Sequence, residues 1–260
     1  METRERNRTR AGTAVKIPAA IAYVIDGLPL EGVTTGRSFA SVWRVGTAFY
    51  LKHVSQGDDL ADEMARLNWL AGRVPVPKVI AFERDTSGSY LLTQTVKGIP
   101  AYDVLPADSI PIVAAGLRQL HALDVSTCPF DARLSVTIEL ARANAWAGRV
   151  DESDFDVSRA GRRAVELIGE VEVMRPTDED LVVTHGDYCL PNIIVDANAV
   201  AGFIDLGRAG VADRYQDLAL AARSIASNFG DAYVKPFFSA YGVDPDGRRI
   251  AFYQLLDEFF

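Results

Sequence analysis

Between Val182 and Arg208 the chain reads V-V-T-H-G-D-Y-C-L-P-N-I-I-V-D-A-N-A-V-A-G-F-I-D-L-G-R. Three side chains in this stretch could share one reaction. Asp187 lies in a His-Gly-Asp loop after an apolar run, Asn192 follows it, and Asp205 closes the next apolar run. Ile193, Ile194 and Val195 form a β-branched strand, Asp196-Ala197-Asn198 is turn material, and Val200 to Ile204 is the returning strand. A hairpin places the residue that starts one strand beside the residue that ends its partner, so Asn192 and Asp205 should meet. One amide oxygen and one carboxylate suit a hard cation such as Mg2+, which completes its shell with phosphate and water. Asp187 is left to take a proton from a hydroxyl. A base that orients the nucleophile, beside groups that hold a cation on the nucleotide, is the division of labour phosphoryl transfer requires. Asp, Asn and Gly are each common turn formers; their combined spacing is what points to chemistry.

The elements needed to position these groups are legible upstream. Ser38 to Val45 and Ala48 to Lys52 read as strands joined by Gly46-Thr47, acceptable residues for a two-residue turn. Alternation along Phe49-Tyr50-Leu51-Lys52 puts an aromatic surface and an ammonium, Tyr50 and Lys52, on one face. Leu60, Met64, Leu67 and Ala71 recur at helical spacing, which predicts a helix over Asp58 to Gly72. That helix carries Glu63, free to pair with Lys52 or with Arg66 one turn on. Val74-Pro75-Val76-Pro77 breaks the chain before two more strands, Lys78 to Glu83 and Ser89 to Thr95. Between Thr93 and Gly98 the strand pattern gives way to helical patterns. Asp108 or Ser109 is expected to cap the next helix, with Pro111 in its first turn and Ile110, Ala114, Leu117 and His121 on its buried side. His121 reads as a structural side chain. Two further helices between Ser135 and Asp180 flank an acidic connection, Asp151 to Asp156, which reads as a solvated loop.

Composition sets outer bounds. A chain of 260 residues with 48% hydrophobic and 24% charged residues is that of an ordinary globular protein. It is long enough for one large domain or two lobes. The net charge of -8 opposes nucleic-acid binding and favours a cationic ligand. No apolar run approaches the roughly 18 residues of a membrane-spanning helix, and Met1 to Arg10 lacks the apolar segment of a secretory signal. Cys128 and Cys189 are too few for a disulfide framework and fit reduced thiols in a cytoplasm. A cytoplasmic monomer or weak dimer that binds neither membrane nor nucleic acid is expected.

The H-G-D-x-x-x-x-N stretch with its following I-D-L-G resembles the catalytic loop and metal-binding segment of the aminoglycoside phosphotransferases. Gly210 to Asp217 (G-V-A-D-R-Y-Q-D) and the ending L-L-D-E-F-F, Leu255 to Phe260, resemble the 3'-phosphotransferase subgroup, and the likeness runs from about Gly32 to Phe260. It implies an α+β, two-lobed protein-kinase-like fold: a mobile extension over 1-16, a β-rich nucleotide-binding lobe over 17-96, and a larger, mainly helical catalytic and acceptor-binding lobe over 97-260. It further implies ATP and Mg2+ as cofactors. Tyr50 would stack on adenine and Lys52, held by Glu63, would contact the phosphates. Ser38 would approach the triphosphate from its loop, and the backbone of Gln94 to Val96 would face the adenine. Asn192 and Asp205 would hold the metal, and Asp187 would be the base, supported by Arg208 and Asp217. Asp257, Glu258 and Phe260 would bind amino groups of an aminoglycoside. Ser227 and Leu190 stand where some members carry acids, which bears on the range of antibiotics accepted. A kinase for another small alcohol, and a nucleotide-binding module without activity, are the alternatives; the presence of Lys52, Glu63, Asp187, Asn192 and Asp205 together opposes the second.

Overall fold

The computed structural model describes residues 17–33 and 40–260, so the expected extension 1-16 and Ser38 lie outside the described residues. A short helix α1 (Ala19–Val24) precedes β1 (Leu30–Val33), β2 (Ser41–Val45) and β3 (Phe49–Ser55); helix α2 (Ala61–Leu70) follows, then β4 (Val79–Asp85) and β5 (Gly88–Gln94). The five strands form one antiparallel sheet in the order β1-β2-β3-β5-β4. Strand alternation gives this sheet two apolar faces. Leu51, Tyr90 and Leu92 pack with Val45, Ile21 and Ile25 into a small core behind it. Val54 and Leu91 point the other way and join Leu60, Leu67 and Leu70 in a large core that continues into the rest of the chain.

Two local expectations need correction. Val45 pairs with Phe49, so the β2-β3 loop has three residues, with Gly46 at φ 54°, a conformation that suits glycine. Helix α2 is shorter than Asp58 to Gly72: Gly72 sits at φ 79° and ends it, while the Leu60 N–H binds the Ser89 hydroxyl at 3.0 Å.

Beyond Gln94 the chain enters a mainly helical lobe. A two-residue strand β6 (Ile99–Pro100) leads to α3 (Pro106–His121), α4 (Leu134–Trp146) and α5 (Ala164–Met174). Helix α3 starts earlier than expected because Pro106 occupies its first turn, where a missing N–H costs nothing. Pro111 is therefore inside the helix, and the Ser109 hydroxyl donates to Ala101 O at 2.8 Å rather than capping. Next come β7 (Leu181–Thr184), β8 (Ile193–Asp196), β9 (Ala199–Phe203) and β10 (Gly210–Asp213), then α6 (Tyr215–Phe229), α7 (Val234–Tyr241) and α8 (Gly247–Asp257). The molecule is thus two-lobed and α+β, with a sheet-rich first part and a helical second part.

The four short strands decide where the polar residues go. β8 and β9 pair antiparallel through a turn with Ala197 at φ 46° and Asn198 at φ 63°, the positive angles of a tight two-residue hairpin. β7 pairs with β10, setting Thr184 opposite Gly210. The loop leaving β7 and the loop entering β10 must then start from the same place. One holds His185 to Asn192 and the other Ile204 to Ala209.

Candidate active site

The hairpin joins Asn192 to the end of β9 as expected: the Ile204 N–H donates to Asn192 O at 3.0 Å, immediately before Asp205. Asp205 lies at φ 60°, the left-handed region that aspartate tolerates better than most residues. That angle turns its carboxylate towards β3, where Lys52 Nζ donates to Asp205 Oδ1 and Glu63 Oε2, each at 2.8 Å. Glu63 shares the buried side of α2 with Leu67 and Leu70, one and two turns on. The choice left open in the sequence therefore falls to Lys52; Arg66 instead lies 3.6 Å from Asp62. Burial alone would push the Lys52 ammonium down, but the Asp205 and Glu63 carboxylates overcome it and hold its pKa above the ordinary value. Burial likewise acts to raise Asp205, and Lys52 outweighs it, so the carboxyl stays below its usual range.

Helix α2 is also tied to the second lobe. Arg66 Nε donates to Ala209 O at 2.6 Å and its guanidinium lies 4.8 Å from the Phe130 ring centre, while Trp69 Nε1 donates to Thr127 O at 3.1 Å. The position of Glu63 is thereby referred to the loop that carries Asp205.

Asp187 stands across the site. Its Oδ2 accepts from Asn192 Nδ2 at 2.9 Å, and Arg208 Nη2 is 3.7 Å from its Oδ1. The loop that presents it is held at several points. Asp217, wholly buried on α6, accepts the N–H of His185 at 2.7 Å and of Gly186 at 2.9 Å, and meets His121 Nε2 at 3.0 Å. Tyr188 donates to Val113 O at 2.8 Å, and the Leu190 N–H donates to the Ser224 hydroxyl at 3.0 Å. Gly186, at φ 87°, has no room for a side chain, because a Cβ would sit 2.4 Å from Arg208 O. Burial pushes the His185 imidazole below its ordinary value, which keeps it neutral, and its Nδ1 accepts the Asp187 N–H at 3.3 Å. His121 is structural as expected, but through Asp217 it steadies the very loop that carries Asp187.

This anchoring has a measurable cost of removal. Asp217→Ala strands two buried N–H groups and His121 Nε2, while His121 Nδ1 keeps Tyr241. The loss should cost about 2–5 kcal/mol and lower Tm by roughly 10 °C. A thermal melt within about 2 °C of the parent would contradict that role.

The other expected site residues fall as follows. Tyr50 and Lys52 lie on β3 with the buried Leu51 between them, so they share a face. The Gln94 N–H is bound to Lys78 O at 2.8 Å and the Thr95 N–H to Ala48 O at 2.8 Å, whereas among the described residues the Val96 N–H takes no acceptor. Among the described residues from Gln94 to Val96, Val96 is the one left with a free backbone donor.

At the chain terminus both acids hold arginines. Asp257 binds Arg208 at 2.7 Å and also binds Arg223; Glu258, only 5% exposed at its side chain, binds Arg159 at 2.8 Å. Phe260 lies with its ring centre 5.4 Å from the Arg208 guanidinium. The two acids are therefore bound to arginines instead of standing free. Leu190 is fully buried, so core packing sets its apolar character, while Ser227 is exposed. The contacts of Arg66 with Ala209, Arg159 with Glu258 and Arg223 with Asp257 gave no local signal in the sequence, because those partners come from distant segments.

For a divalent cation the donor set fits. Asn192 uses its nitrogen on Asp187, which leaves its amide oxygen available, and Asp205 engages Lys52 through one oxygen and keeps the other. Two hard oxygens beside a lysine ammonium are what a Mg2+–triphosphate complex can use.

The chain was compared with known proteins. Residues 29–253 match the phosphotransferase enzyme family, APH. An aminoglycoside 3'-phosphotransferase of Escherichia coli is 36% identical over 268 residues, covering 98% of each chain. One of Streptomyces fradiae is 42% identical over 214 residues, covering 78% of this chain and 80% of that protein. Among solved structures, the crystal structure of an aminoglycoside-3'-phosphotransferase of type VIII superposes with a TM-score of 0.84 at 37% identity, covering 93% of this chain and 97% of the other. With the paired Lys52 and Glu63, the anchored Asp187 loop and matches of this extent, the chain belongs to the APH phosphotransferase enzyme family.

Proposed function

We propose that this protein transfers the γ-phosphoryl group of ATP to the 3'-hydroxyl of deoxystreptamine aminoglycosides of the kanamycin and neomycin type, and so confers resistance to them. The observation that carries the reading is a Lys52 held between Glu63 and Asp205 while Asn192, whose backbone is bonded to the residue before Asp205, orients Asp187; the cleft for nucleotide and acceptor is proposed to lie between these groups. The named activity of the relatives supports the choice of acceptor, as does an overall charge of -8 set against a polycation.

In this reading Tyr50 stacks on the adenine, the Val96 backbone meets its edge, and the loop carrying Ser38 covers the phosphates. Lys52, held between two carboxylates, fixes the phosphates without having to be ordered at the moment of reaction. Mg2+, when bound by Asn192 and Asp205, neutralises phosphate charge. Asp187 takes the proton of the acceptor hydroxyl as its oxygen bonds to the γ-phosphorus and the bond to the β,γ-bridging oxygen breaks. Arg208, close to both Asp187 and Asp257, keeps the base from drifting towards the terminal acids. Much of the rate enhancement then comes from positioning and charge. We place the reaction in the cytoplasm, where ATP is; among the described residues no helix is long and apolar enough to cross a membrane.

The test is ADP release with Mg-ATP across kanamycin, neomycin, paromomycin and ribostamycin, with 3'-deoxy tobramycin and streptomycin as comparison acceptors. Turnover of the 3'-hydroxyl compounds without tobramycin is expected. Silence across the panel would remove the antibiotic as acceptor and redirect attention to other small alcohols.

A further inference from the structure

A continuous run of alternating charges leads away from Asp187. Arg208 lies 3.7 Å from Asp187 and 2.7 Å from Asp257; Arg223 binds the other oxygen of Asp257 and lies 3.8 Å from Asp156. Arg159 then stands 3.3 Å from Asp156 and 2.8 Å from Glu258. Four carboxylates are thus laced by three guanidiniums, leaving one net negative charge beside the base.

The members of the run are not equally replaceable. Asp257 is gripped by two arginines from separate segments, so a ligand ammonium would have to displace both. Glu258 has one side-chain partner, Arg159, plus the Asp156 N–H at 3.2 Å from Oε1 and 3.3 Å from Oε2. Arg159 comes from a three-residue 3-10 turn, Val157–Arg159, in the connection between α4 and α5, and its neighbour Val157 is 95% exposed. The outermost cation of the run is therefore borne by irregular backbone, over Glu258, whose ion pair it supplies, and Asp156, which Arg223 approaches only to 3.8 Å.

We propose that Arg159 is a specificity-determining residue: its guanidinium occupies the place on Glu258 and Asp156 that an acceptor ammonium could take. The chain carries its own surrogate amine there. Acceptors with an amine at that end must compete with a tethered cation, and those without one lose nothing. The inference rests on the reading that this cleft takes an aminoglycoside. Removing Arg159 doubles the net negative charge of the run and leaves Glu258 as a buried acceptor in want of a cation.

The test compares Arg159→Ala, Arg159→Gln and Arg159→Lys with the parent, measuring KM for neomycin, paromomycin and kanamycin and, as an internal reference, for ATP. Neomycin and paromomycin differ by one amine replaced with a hydroxyl. In the Ala and Gln variants the KM of at least one amine-rich acceptor should fall by roughly tenfold, the ratio that corresponds to 1.4 kcal/mol. KM for ATP should stay at the parent value, and the Lys variant, which restores a cation, should return acceptor KM towards it. Acceptor KM unchanged or raised in both Ala and Gln variants would overturn the proposal. Loss of the folded protein in both would make Arg159 a structural residue and overturn it equally. A parent enzyme silent on the whole panel would instead reject the acceptor class itself.

Discussion

Asp187→Asn should lower kcat by about 10²- to 10⁴-fold, the usual range for loss of a general base. The substitution keeps the size of the side chain and can still meet Asn192 and Arg208, whose contacts at 2.9 and 3.7 Å now orient the carboxylate. What it removes is the ability to take a proton. KM for ATP should stay near the parent value, because in the proposed mechanism Asp187 serves the acceptor while Lys52 and Asp205 serve the nucleotide. Steady-state kinetics decide the matter, and turnover within about threefold of the parent would take Asp187 out of its role.

The second large effect concerns Asp205. Asp205→Asn retains a residue that accepts φ 60° and deletes a charge, so backbone strain does not confuse the result. Lys52 loses one of its two carboxylate partners, and a Mg2+ held as proposed by Asn192 and Asp205 would lose its carboxylate ligand. Transition-state charge stabilisation of this kind is worth about 10²- to 10³-fold in rate per group. Calorimetric titration with ATP should then give the same weak affinity with and without Mg2+, where the parent shows a gain from the metal. A variant that still binds Mg-ATP as the parent does would refute the assignment of Asp205 as a metal ligand.

The site was legible in the sequence where one short segment determined it. Ile193 to Phe203 is a β-branched run, a turn and a returning run, so the meeting of Asn192 with the end of β9 follows from hairpin geometry alone. Tyr50 and Lys52 follow from strand alternation. The pairing of Glu63 with Lys52 leaned on the kinase-like resemblance, because helical spacing also offered Arg66 as a partner. Helix limits were missed where special residues overrode the pattern, with Pro106 starting α3 early and Gly72 closing α2. The arginine contacts were out of reach. Arg66 meets Ala209 143 residues away and Arg159 meets Glu258 99 residues away, and neither leaves a periodic mark. For the same reason the guanidinium partners of the acids at the chain end were not legible. A terminal L-L-D-E-F-F records the acids but not the cations that fold against them.

The central claim is that Asp187 serves the 3'-hydroxyl, and the most direct measurement is where the phosphate ends up. The kanamycin product should be purified and its phosphorus–proton correlation recorded by NMR. The new phosphorus should couple to the proton on C3' of the ring that bears the 3'-hydroxyl, and to no other carbon-bound proton of the antibiotic. A phosphorus coupled to a proton of the other amino sugar would contradict it, showing that the acceptor lies in the cleft the other way round.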